Sequence, residues 1–278
     1  MKPTNSHPLL CLLLCLLCAC GQEEHSGPLP VEVSASITGN NAAPNTRTDP
    51  TYSVTTANYD RKNFEEGDVI KITKQGMAAL YKKEGKYWRI YEGETPLTTN
   101  GGEVFTAVFP QNFTAIQPDQ TTTGSFFNSN KLQATATSVN NHLAFGFTHA
   151  FAKITLVINY VPAKTPNKAI IEGTGMRGGS GTETVSFYRT SGAEESSIHS
   201  YVGIVNPGTY STYTIKVTTG SGASEDTKSY KETVAARLTL QAGNNYQFTF
   251  TTSDELILTG VTVSDFDAQA EMDTGSAT

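Results

Sequence analysis

The apolar positions of this chain fall into short alternating runs almost from end to end. Val31, Val33, Ala35 and Ile37 are separated by Glu32, Ser34 and Ser36, a period of two that marks a half-buried β-strand. Ala152, Ile154, Leu156 and Ile158 repeat the pattern, with Lys153, Thr155 and Asn159 on the other face. Runs of β-branched and aromatic residues bounded by turn formers predict further strands. They cover residues 69–73, 86–91, 103–109 and 143–147, then 169–172, 184–188, 200–205, 212–218, 230–240, 246–252 and 256–266. No sustained spacing of about 3.6 residues predicts a long helix. Short strands with turns between them predict an all-β chain of sandwiches.

The chain has 278 residues, and one immunoglobulin-size sandwich takes about 100. Two β-sandwich domains in tandem are expected, with the boundary in the Pro-bearing stretch 161–167. That gives an N-terminal domain over residues 48–163 and a C-terminal domain over residues 164–278.

The start of the chain is of another kind. Lys2 is followed by the apolar run Leu9–Leu17, far short of the roughly 20 residues that span a bilayer. It fits the core of a secretory signal peptide over residues 1–19. Leu17-Cys18-Ala19-Cys20 resembles a bacterial lipobox, in which the leader is cut before the cysteine and its thiol is acylated. The plainer alternative is an ordinary signal peptide rich in cysteine. On the lipobox reading Cys20 carries the lipid, and attachment to the membrane is through lipid alone. Residues 21–30 are polar and bear Pro and Gly, as a tether would.

Composition narrows the function. All four cysteines, Cys11, Cys15, Cys18 and Cys20, lie in the first twenty residues. A disulfide scaffold and a Cys-ligated metal site in the body are thereby excluded. A formal charge of −6 argues against a nucleic-acid groove. Charged residues make up 17%, below the roughly 25% of ordinary soluble domains. Thr, Ser, Gly and Asn fill the difference, and with 12 Tyr and 13 Phe they suit an extracellular all-β body.

Motifs for chemistry are weak. Gly173-Thr174-Gly175-Met176-Arg177-Gly178 matches G-x-G-x-x-G, yet another loop and strand follow where a dinucleotide site needs a helix. A β-hairpin loop is expected instead. His142 and His149 stand seven apart on either side of a strand and cannot share a face. No H-E-x-x-H or G-x-S-x-G occurs. No catalytic residue, metal ligand or cofactor is therefore assigned.

Two features remain. The strand Val31–Ile37 precedes a turn-rich linker, residues 39–50, with Arg47 in it. They are either a first strand and its loop, or a removable strand and a protease site.

Several stretches together resemble the fimbrillin family, the type V pilins derived from lipoproteins. Asn63-Phe64-Glu65-Glu66-Gly67-Asp68-Val69-Ile70 resembles an early F/W-x-x-G-D-x-I strand. Glu103–Pro110 is similar to its aromatic strand ending in Pro, and Leu143–Ile154 to its F-x-H-x-x-A-K-I strand, the most specific of these. Gln241-Ala242-Gly243-Asn244-Asn245-Tyr246-Gln247-Phe248 resembles a late hairpin. The family often has a Trp after the last strand, where Asp265-Phe266-Asp267 stands here.

The resemblance implies two transthyretin-like sandwiches and a structural, non-enzymatic pilus subunit. It implies export as an outer-membrane lipoprotein precursor through Cys20, with residues 20–47 as lipidated tether and removable strand. A trypsin-like protease would cut between Arg47 and Thr48. The strand carrying Val31, Val33, Ala35 and Ile37 would leave, and a neighbouring pilus subunit would fill its groove with Leu256, Ile257, Leu258, Val261 and Val263. The alternative is a permanently lipid-anchored surface adhesin, for which exposed Tyr and Trp would stack on glycans or meet host protein.

Overall fold

Every one of these alternating runs is a strand in the computed structural model, which describes residues 27–38, 63–252 and 254–266. In the first half the strands are β1 (Leu29–Pro30), β2 (Glu32–Ile37), β3 (Val69–Lys74), β4 (Met77–Glu84), β5 (Tyr87–Ile90), β6 (Thr98–Thr99), β7 (Val104–Phe109), β8 (Leu132–Thr137) and β9 (His142–His149). One short helix, α1 (Thr123–Ser129), lies between β7 and β8 and is capped by the Thr122 side chain. Strands β2, β5, β4, β3, β7, β8 and β9 pair in that order, and the ladder closes on itself. The β1–β6 pair forms a separate ribbon.

Alternation dictates this closure. Along β9, Leu143, Phe145, Phe147 and His149 point inward while His142, Ala144, Gly146 and Thr148 face out. The two histidines are thus on opposite faces, as their odd spacing requires. Phe64, ahead of β3, meets Trp88, Phe109 and Phe147 edge-on, at 5.2, 5.3 and 5.1 Å between ring centres. Trp88 is buried in this cluster, so it presents no face on which a sugar could stack.

The second half holds β10 (Ala152–Lys164), β11 (Pro166–Thr174), β12 (Thr182–Ser186), β13 (Tyr188–Arg189), β14 (Ser196–Val205), β15 (Gly208–Thr219), β16 (Asp226–Leu240), β17 (Asn244–Thr252) and β18 (Leu256–Asp265). They form two sheets, β13-β14-β10-β17-β18 and β12-β11-β15-β16. Ile154, Leu156 and Ile158 of one sheet and Ile171, Ile215 and Val217 of the other belong to one core between them.

The structure moves the expected boundary. β10 pairs with β14 and β17 at the centre of the sandwich. Its alternating residues therefore belong to the second core, and the two cores part at Ala150–Phe151. The prolines of 161–167 sit at the end of β10 and the start of β11, where backbone donors are dispensable. Strands β4 and β8 lie where no strand was expected, because their inward positions are partly alanines, Ala79, Ala134 and Ala136.

The glycine-rich motif is the β11–β12 hairpin. Glu183 accepts hydrogen bonds from the Arg177 and Gly179 amides at 2.7 and 3.2 Å. Gly175 and Gly178 supply the positive φ angles, 80° and 96°, that turn the chain.

Candidate functional site: the groove filled by the first strand

β2 is the seam of the closed ladder, and its two sides differ. On one side it runs parallel to β9 through six positions, from Glu32 opposite His142 to Ile37 opposite Phe147. On the other it meets β5 at one position, Val33 opposite Trp88. Taking β2 away would leave every other pairing in the ladder standing.

The register fixes what β2 covers. Val33, Ala35 and Ile37 lie opposite Leu143, Phe145 and Phe147 and share their inward face. Val31 is buried in the same core, and Val33, Ala35 and Ile37 pack against it half-buried. These are the residues predicted from the sequence, and the structure brings all four into one groove. Glu32 and Ser36 face solvent, while Ser34 Oγ lies 3.1 Å from His142 Nε2.

Backbone groups hold both ends. The Val31 amide donates to Leu97 at 3.0 Å, the Glu32 amide to Asn141 at 2.8 Å and the Thr38 amide to Phe147 at 2.7 Å. Gly146 lets Thr38 lie close, because an added Cβ there would stand 3.0 Å from the Thr38 methyl. Sequence alternation gives no sign of that contact.

A polar cluster secures the rail on which β1 rests. Lys74 Nζ donates to the Thr98 carbonyl at 2.7 Å and lies 2.8 Å from Glu103. Thr98 and Thr99 in turn lie opposite Pro30 and Leu29. Hydrogen bonds from the Lys74 ammonium, then from Thr99 and the Asn100 amide, lower the Glu103 carboxyl from 4.5 to about 2. Nearby, burial raises the Tyr81 hydroxyl, which accepts the Leu97 amide at 3.2 Å.

A carboxyl lowered by folding stabilises the fold above its unfolded pKa and ceases to as pH falls toward the folded value. Glu103→Gln is therefore expected to be less stable than wild type at neutral pH. The difference should shrink as pH is lowered through 4.5 toward 2. Urea melts of both proteins across that range check it, and a constant difference would contradict the ion pair's role.

The predicted donor residues lie in β18, which pairs antiparallel with β17 at the open edge of the five-stranded sheet. Leu256 is buried and Leu258 packs on the sandwich core, while Ile257, Val261 and Val263 are exposed. Cys20, Arg47 and Thr48 lie outside the described residues. Among the described residues no group of three or more His, Asp or Glu side chains is placed to hold a metal ion.

No protein-family model matches the chain, and no curated protein sequence matches it. Solved structures do. One from Bacteroides ovatus, provisionally assigned to cell adhesion, shares 17% identity over 88% of this chain and 100% of its own, with a TM-score of 0.62. Another from Bacteroides uniformis with the same provisional assignment shares 18% over 86% and 99%, with a TM-score of 0.58. The chain has the fold of these proteins, which agrees with the all-β reading of the sequence. A tip fimbrial protein of Porphyromonas gingivalis, truncated at its C-terminus, shares 9% over 86% of this chain and 100% of its own. Its TM-score of 0.43 is too low to add to the fold assignment.

Proposed function

We propose that this chain is a structural subunit of a cell-surface pilus, a fimbrillin assembled by exchange of its first strand. The observation that carries the reading is the asymmetric seam. β2 fills an apolar groove, holds six ladder positions on one side and one on the other, and leaves the remaining pairings intact when removed. A groove of this kind offers an incoming strand unpaired backbone and apolar pockets together.

In this reading the precursor reaches the outer membrane as a lipoprotein acylated on Cys20. A trypsin-like protease cuts after Arg47, residues up to Arg47 leave, and a neighbouring subunit supplies the replacement from the stretch holding Leu256–Leu258, Val261 and Val263. The shared fold with two Bacteroides proteins provisionally assigned to cell adhesion supports a surface role.

The test is limited trypsin digestion of the folded precursor, with N-terminal sequencing and gel analysis under mild conditions. The expected result is a new N-terminus at Thr48 followed by ladders of subunits. Resistance at Arg47 with cutting elsewhere would sink the maturation step. Cleavage at Arg47 that leaves a stable monomer would overturn assembly by strand exchange, and a precursor that keeps Cys20 and stays monomeric is what the anchored adhesin requires.

A further inference from the structure

β18 is held in an unusual way. Its register sets Val261 beside Phe248 and Val263 beside Tyr246, yet both valines are exposed, at 44% and 57%. From Ile257 to Asp265 no side chain of the strand is buried. Its large buried side chains are Leu256 at the start and Phe266 just past the end. Beyond the one-sided ladder to β17 and the half-buried Leu258, which packs on the sandwich core, the strand is pinned at its ends.

The far pin is not in the sandwich core. Phe266 stacks on the His149 imidazole, with ring centres 3.6 Å apart and planes 13° from parallel. The Lys153 ammonium stands 5.0 Å from the centre of the Phe266 ring. His149 closes β9 of the barrel and Lys153 lies in β10 of the sandwich, so the ring bridges the junction at Ala150–Phe151. It belongs to one buried apolar cluster with Ile116 and Phe126, which follow β7, and with Val202 and Ile204 of β14. The Phe266 amide donates to Gly243 at 2.9 Å.

We propose that Phe266 is a latch joining two events: it keeps β18 in the sandwich and it fastens the barrel to the sandwich. Withdrawing β18 takes the ring out of the joint and uncovers His149 and Lys153. The joint then keeps Ile116 and Phe126 against Val202 and Ile204, the backbone bonds that join Pro118 and Gln120 to Ser186, and the Gln120 side chain, which donates to and accepts from the backbone of Ile204 at 2.8 and 2.7 Å. The latch's place in assembly rests on the donor-strand reading above. Its hold on β18 does not.

The test uses the full precursor chain and the variants Phe266→Ala, Phe266→Leu and Phe266→Tyr. Hydrogen exchange should accelerate across residues 256–266 by on the order of 100-fold in Phe266→Ala. It should stay near wild type in Phe266→Tyr, which keeps an aromatic face on His149. Unchanged exchange in β3 and β10 shows that each variant is folded. The His149 ring protons, shifted upfield by the stacked ring, should lose that shift in Phe266→Ala and Phe266→Leu and keep it in Phe266→Tyr. Unchanged exchange of 256–266 in Phe266→Ala would overturn the latch. After cleavage at Arg47, Phe266→Ala should also polymerise faster than wild type. Faster exchange with an unchanged polymerisation rate would leave the latch standing and overturn β18 as donor.

Discussion

Phe64→Ala will lower the stability of the barrel by about 3–5 kcal/mol. Phe64 is buried and touches three rings carried by three different strands, Trp88 of β5, Phe109 of β7 and Phe147 of β9. Truncation removes the buried ring and leaves a cavity that strands fixed by their ladders cannot collapse to fill. It also removes three edge-to-face pairs, each worth roughly 0.5–1.5 kcal/mol beyond area. The sole tryptophan of the chain lies in this cluster, so its fluorescence during a urea melt reports on the barrel. Phe64→Leu, which keeps most of the volume, should recover a good part of the loss. A drop below about 1 kcal/mol in Phe64→Ala would mean that the ring cluster does not hold the barrel together.

Phe64 also shows what was legible beforehand. Its stretch, Asn63–Ile70, stood out as a motif, and the structure gives the motif a cause. Phe64 plugs the ring cluster, Gly67 turns the chain at a φ of 87°, and Asp68 Oδ2 accepts the Glu65 amide at 2.7 Å. Alternation located β2 and β9 because their apolar side chains keep to one face, and β10 because it is buried on both faces at the centre of its sheet. It missed β4 and β8, where alanines stand inward and composition is closer to that of a helix. It misplaces the split between the cores because a proline-bearing stretch reads as a boundary, when here its prolines only end and begin strands.

Some of the site left traces in the pattern. Lys74 continues the inward row Ile70, Ile72, and His149 continues Leu143, Phe145, Phe147. A polar residue in register with a buried row needs a partner, and the structure supplies Glu103 to Lys74 and Asn130 to His149, the latter at 2.8 Å. The partners themselves could not be named, since Glu103 lies ahead of β7 and Asn130 at the end of α1, away from both rows in the sequence. Phe266 ends the strand expected over 256–266, but nothing in the pattern marks it as packing across the joint, because it lies past the last paired residue of β18.

Loss of the first strand should have an effect of similar size. A chain that begins at Thr48 should lose about 4 kcal/mol of barrel stability, counting Val31 as buried and Val33, Ala35 and Ile37 as half-buried. The loss should be confined to the barrel, because β2 makes its ladder contacts with β9 and β5 and none with the sandwich. A peptide of residues 29–38 added in trans should restore the urea midpoint read by Trp88, which lies opposite Val33. The same peptide with Val33→Asp and Ile37→Asp should fail, because each carboxylate would have to be desolvated against apolar side chains. A peptide of residues 256–265 should compete for the groove, since Ile257, Thr259, Val261 and Val263 can stand where Val31, Val33, Ala35 and Ile37 stood, while Leu258, Gly260, Thr262 and Ser264 face outward. Competition by that peptide is what separates exchange between subunits from a groove that merely tolerates its own strand. If the shortened chain is as stable as the precursor and indifferent to both peptides, the seam is not a binding groove and the pilus reading loses its structural basis.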